Sequence, residues 1–210
     1  MVLISSIKTN FVSQKSQNMK KILVINANPQ VDSLSGAIAN EYIEGAISAG
    51  GQCKLINLVH FDFDPILKNG YKRKVELEPD LVQAQSDINE ADHLVFVYPT
   101  WWGTFPALLK GFIDRVFLPG FAFKYRENSI LWDKLLTGKS ARLIVTMDSP
   151  LWYYRFVYGS PGHNAMKKST LKFCGVSPVK VTAFGPVKKA SEKKIEGWLK
   201  KVNKLGVNLN

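Results

Sequence analysis

Short apolar runs alternate five times with segments of helical period, and this alternation restricts the chain to very few folds. Lys21-Ile22-Leu23-Val24-Ile25-Asn26-Ala27 is continuously apolar at its centre, the pattern of a strand buried on both faces of a parallel sheet. Further strands are expected over 53–58, 93–98, 141–147 and 178–184. Between and after them, helices are expected over 33–49, 79–90, 106–117, 163–173 and 191–204. The first closes at Gly50-Gly51, and the second carries Pro79 in its first turn. In the last, Ile195, Trp198, Leu199, Val202 and Leu205 share one face.

Strict alternation of this kind predicts an α/β fold: a doubly wound, five-stranded parallel sheet with helices on both faces. The flavodoxin-like strand order 2-1-3-4-5 is the natural one, and it makes the loops after strands 1, 3 and 4 converge on one crevice. Residues 1–18 are polar and nonperiodic and predict a flexible arm, and residues 19–210 a single domain, because no repeat or linker divides them. Residues 118–132 read as loop, and Asp114 and Arg115 as a structural ion pair rather than catalytic groups.

No apolar run reaches membrane-spanning length, and Met1-Val2-Leu3-Ile4 lacks the features of a signal peptide. Cys53 and Cys174 fit no metal or redox spacing, and His60, His93 and His163 are scattered. The expectation is a cytoplasmic, reduced protein with no metal. The net charge of +11 resides at the ends: residues 1–21 contribute +4, residues 188–204 contribute +5, and the stretch between them +2. These lysines read first as a solvated face and second as a contact for an anionic membrane or nucleic acid. Nothing else in the chain speaks for nucleic acid.

Three loops carry the candidate chemistry. In the first, 28–36, the hydroxyls of Ser33 and Ser35 and the free amides of a helix start suit a phosphate; the alternative is N-capping by Asp32 or Ser33. In the second, Pro99-Thr100-Trp101-Trp102-Gly103, two adjacent indoles can flank a planar ring while backbone amides meet its polar edge, or pack at a subunit interface. The third, Thr146-Met147-Asp148-Ser149-Pro150, offers hydroxyls and amides to a ring edge. Tyr153 or Tyr154 beyond it either hydrogen-bonds a reacting oxygen and supplies its proton or closes the core.

Together these blocks, with Lys110-Gly111-Phe112, Asp114-Arg115-Val116-Phe117, Pro119-Gly120-Phe121-Ala122-Phe123 and Phe173-Cys174-Gly175, resemble the flavodoxin-like NAD(P)H:quinone oxidoreductases. That family includes DT-diaphorase, the modulators of drug activity and the ancillary flavoproteins of potassium-efflux systems. The resemblance implies an FMN or FAD at the carboxyl edge of the sheet. It implies a phosphate on Asn28, Ser33, Leu34 and Ser35, and a ring against Pro99, Thr100, Trp101, Trp102 and Gly103. Thr146, Met147, Asp148 and Ser149 would meet the far edge of the ring, and Tyr154 falls where the family places its active-site tyrosine. It further implies hydride transfer from NAD(P)H to a quinone-like aromatic acceptor by a ping-pong scheme. A homodimer joined through exposed aromatics Trp102, Phe105, Phe121 and Phe123 is expected. The alternative is a regulatory flavoprotein subunit whose only membrane contact is through a transporter partner.

Overall fold

A computed structural model describes residues 19–68, 70–72 and 76–209. The arm expected over 1–18 lies outside the described residues. Strands β1 (Lys21–Asn26), β2 (Gln52–Asn57) and β3 (His93–Pro99) join two later ones, β6 (Ser140–Thr146) and β7 (Val179–Phe184), in one parallel sheet. Its order is β2-β1-β3-β6-β7, the 2-1-3-4-5 arrangement expected from the alternation. The three inner strands are buried almost throughout because helices cover both faces, which is why they read as unbroken apolar runs.

Helices α1 (Leu34–Ser48) and α6 (Glu192–Val207) cover one face. Ile38, Tyr42, Ala46 and Val202 there pack against Ile22, Val24, Val95, Val97 and Ile144. The two helices cross so closely that a Cβ at Gly45 would lie 2.1 Å from the Asn203 carbonyl oxygen, and one at Gly206 would lie 2.2 Å from that of Tyr42. Only glycine permits this approach. Helices α2 (Pro79–Glu90) and α3 (Ala107–Val116) cover the other face. Leu81, Ala84, Ile88, Leu109, Phe112 and Val116 pack there against Leu23, Ile25, Leu94, Phe96 and Leu143.

Several local expectations are corrected. Residues 118–132 are not all loop: β4 (Phe123–Tyr125) and β5 (Trp132–Lys134) form a small antiparallel hairpin. Trp132 anchors it, stacking on Phe173 with centroids 4.4 Å apart and donating its indole N–H to the Phe173 carbonyl at 2.9 Å. Strands of three residues carry too little period to be legible. Ala122 and Phe123 are consequently buried in the protein's own core, not exposed for a partner. A short helix, α4 (Leu151–Phe156), follows β6, and the helix expected over 163–173 begins earlier, as α5 (Pro161–Asn164), then widens into a π-helical segment (Ala165–Lys172).

Asp114 and Arg115 do not pair with each other. Asp114 meets Lys110 one turn earlier on the surface of α3 at 2.6 Å. Arg115 is buried and points away, donating to both carboxylate oxygens of Glu78, at 2.7 and 3.2 Å. It also donates to the Asp64 carbonyl and, at 3.4 Å, to that of Glu76. One guanidinium thus gathers both ends of the long connection between β2 and α2 onto α3. Replacing it by Ala would leave the Glu78 carboxylate with the Asp64 N–H but without its counter-charge, and two carbonyls without this donor. Arg115→Ala is expected to destabilise the fold by about 3 kcal/mol. Urea denaturation should show this as a lowered midpoint at unchanged slope.

Candidate functional site

The parallel register brings β1, β3 and β6 to an end together: Asn26 lies opposite Val97, and Pro99 opposite Thr146. The loops that follow are tied to one another by their backbones. Thr100 N–H donates to the Thr146 carbonyl at 2.7 Å, and Met147 N–H to that of Phe184 at 2.9 Å.

A relay of side chains shapes the first loop. Asn26 Oδ1 accepts from Asn28 N–H at 3.3 Å, and Asn28 Oδ1 from Gln30 N–H at 3.0 Å. Asn28 Nδ2 donates to the buried Ser35 hydroxyl at 3.3 Å. Ser33, rather than Asp32, caps α1 by accepting from Gly36 N–H at 3.2 Å. The amides of Leu34 and Ser35 have no backbone acceptor among the described residues and sit at the positive end of a 15-residue helix. Capping and anion binding are therefore compatible here.

The second loop is a two-residue turn. Trp101 and Thr104 exchange backbone hydrogen bonds at 3.1 and 2.9 Å, and Trp102 and Gly103 between them adopt φ of 50° and 75°. Positive φ at a bulky residue costs about 1–2 kcal/mol, strain of a kind concentrated at ligand sites. The turn holds the Trp102 indole wholly in solvent, while Trp101 is half exposed.

The third loop leads into α4, whose Tyr154 turns inward and is buried. Its hydroxyl donates to the Gly103 carbonyl at 2.9 Å and accepts from Gly162 N–H at 3.0 Å. Gly162 is required: a Cβ there would lie 2.9 Å from Thr104 Cα and 3.0 Å from the Tyr154 hydroxyl. Burial raises the pKa of the phenol, so it remains a neutral donor. His163 packs edge-on to Tyr154 with centroids 4.9 Å apart, and burial lowers its pKa, so the imidazole is neutral near pH 7.

Between the second and third loops lies a cavity of about 500 Å³. Of the residues singled out from the sequence, it is lined by Thr100, Trp102, Gly103, Met147, Asp148, Ser149 and Tyr154. Asn28, Ser33, Leu34 and Ser35 lie on the neighbouring helix start, outside that cavity. Pro99, Trp101 and Thr146 frame the loops without lining it, and the half-buried Tyr153 ring packs against Trp152 and Tyr158. Tyr158 and Pro161 complete the lining and were not anticipated. Tyr158 lies just past the end of α4, in the aromatic run that begins at Trp152; Pro161 gave no signal.

These residues fit a planar, polar-edged ring bearing a phosphate. The Thr100 hydroxyl oxygen is buried without a hydrogen-bond partner among the described residues. The amides of Asp148 and Ser149 have no backbone acceptor among them. Unpaired donors and acceptors at a cavity wall are what a bound heterocycle would satisfy.

The family described as a flavodoxin-like fold matches residues 20–205. A Haemophilus influenzae protein named an uncharacterized NAD(P)H oxidoreductase is 31% identical over 79% of this chain and 83% of its own length. The rat ribosyldihydronicotinamide dehydrogenase [quinone] is 25% identical over 89% of this chain and 92% of its own. The crystal structure of Smu.1420 from Streptococcus mutans is 32% identical and superposes with a TM-score of 0.76, covering 90% of this chain and 99% of that one.

Tyr154→Phe removes one donor and one acceptor from buried backbone groups. The expected cost is about 1–2 kcal/mol, or a fall of about 3–6 °C in Tm for a chain of this size. Differential scanning calorimetry checks it.

Proposed function

The chain belongs to the flavodoxin-like fold family, and we propose that it is a flavin-dependent NAD(P)H oxidoreductase that passes two electrons to a quinone or similar small aromatic acceptor. One observation carries the reading: three loops end on one sheet edge, where a helix start with free amides adjoins a cavity lined by unpaired polar groups. A bound flavin supplies reversible two-electron hydride chemistry that no amino-acid side chain has.

The protein's part is to bind and to orient. The amides of Leu34 and Ser35, with the hydroxyls of Ser33 and Ser35 and the Asn28 amide, would hold the phosphate; their single helix start suits FMN. Pro99, Thr100, Trp101, Trp102 and Gly103 would carry the ring, with the Thr100 hydroxyl gaining the partner it lacks. Thr146, Met147, Asp148 and Ser149 would meet the far edge, where their N–H dipoles favour negative charge. One cavity taken by donor and acceptor in turn would make the kinetics ping-pong.

Tyr153 and Tyr154 are the candidates for proton delivery to the acceptor oxygen. Only Tyr154 lines the cavity, and its proton is engaged by the Gly103 carbonyl, so it acts chiefly by positioning the turn. Its Phe variant should slow both half-reactions in stopped-flow to a similar extent. Selective slowing of reoxidation by quinone would instead make it the proton donor. The full exposure of Trp102 supports a homodimer, with the half-buried Phe105 nearby in sequence. Both cysteines are free thiols, which suits the reducing cytoplasm.

The test uses Ser33. Asp is as good an N-cap as Ser but places a charge beside the phosphate; Asn caps without charge. Ser33→Asp should weaken flavin binding about a hundredfold or more, and Ser33→Asn by far less. Fluorescence titration with FMN and mass determination of the flavin released from the parent protein measure both. Full flavin occupancy in Ser33→Asp would refute the phosphate assignment.

A further inference from the structure

The segment 151–158 presents an unusual surface. Tyr154 is buried, but Leu151, Trp152, Phe156, Val157 and Tyr158 are all exposed, Trp152 to 62% and Phe156 to 74%. Five large apolar side chains in eight residues are more than a solvent-facing helix ordinarily shows. The chain from here onward is basic in sequence. From Ser149 to Ser191 the chain contains seven Lys and Arg residues and no Asp or Glu, whereas residues 22–148 carry a net charge of −3. Arg155 and Lys167 line a cleft with Leu151 beside α4, and neither forms an ion pair among the described residues. Arg155 also lies over the Phe156 ring, 5.3 Å from its centroid, bringing cation and apolar surface together.

We propose that this face docks on an anionic phospholipid bilayer and that the acceptor is a quinone resident in that bilayer. Exposed aromatics interleaved with cations are the composition that binds at a membrane interface: rings enter the headgroup region while Arg and Lys meet lipid phosphates. Tyr158 belongs both to this surface and to the cavity wall, so docking sets the cavity beside the lipid. A second copy of the chain fits the same face poorly. A two-fold interface centred on α4 would bring Arg155 and Lys167 of both copies together, a like-charge cost that an anionic bilayer does not carry. The choice of acceptor rests on the function proposed above; the docking does not.

Sedimentation of the flavin-loaded protein with phosphatidylcholine vesicles, with and without phosphatidylglycerol, is the direct test. Binding is expected only to the anionic vesicles and should fall as salt is added. The double variants Trp152→Ser/Phe156→Ser and Arg155→Glu/Lys167→Glu should each bind at least about tenfold more weakly. Both should keep parental turnover with a short, water-soluble quinone but lose turnover with a long-tailed quinone embedded in those vesicles. Equal binding to both vesicle types, no binding, or parental binding by the aromatic variant overturns the proposal. So does a change of oligomeric mass in that variant without vesicle binding, which would assign the face to a second copy. Vesicle binding without turnover of either quinone would leave the docking standing and remove the acceptor and the oxidoreductase reading together.

Discussion

The hydroxyl of Tyr154 joins the parts on which the candidate site depends. It donates to the carbonyl of Gly103 in the turn after β3 and accepts from the amide of Gly162 at the start of α5. The turn it grips is strained, since Trp102 occupies a left-handed conformation. Such a conformation persists only where surrounding bonds over-determine it. Here they are the paired bonds between Trp101 and Thr104, the Thr100 amide on β6, and the buried phenol. Burial keeps that phenol protonated, so the brace does not titrate near neutral pH.

The platform beneath is stiff for separate reasons on its two faces. On one, Gly45 and Gly206 allow α1 and α6 into near backbone contact, which pins the later turns of α1 against α6. On the other, Arg115 draws the long connection before α2 onto α3. The irregular segments at the sheet's carboxyl edge thus ride on elements with little freedom. A binding site built on loops needs that support if its donors are to hold position.

Charge follows the same division of labour. Carboxylates concentrate in the first two-thirds of the chain, where Glu78, Asp87 and Asp114 each have a cationic partner. After Asp148 the chain becomes almost wholly cationic, and the exposed aromatics of α4 lie within that part.

The sequence by itself determined the sheet. Continuous apolar runs at β1, β3 and β6 and the helical periods between them leave few topologies, and the predicted order and most element positions agree with the structure. Local patterns are legible when a long element repeats one signal many times. The carboxyl-edge loops were legible for the same reason, because strand order alone brings them together. Tertiary structure decided the rest. The β4–β5 hairpin is held by the Trp132–Phe173 stack rather than by any period of its own. Arg115 chose Glu78, far away in sequence, over its neighbour Asp114, because its position on α3 turns it inward. Only the folded chain shows that Thr100 Oγ1 lacks a partner and that the Tyr154 proton has one. Those facts depend on distances between segments, and no single segment encodes them.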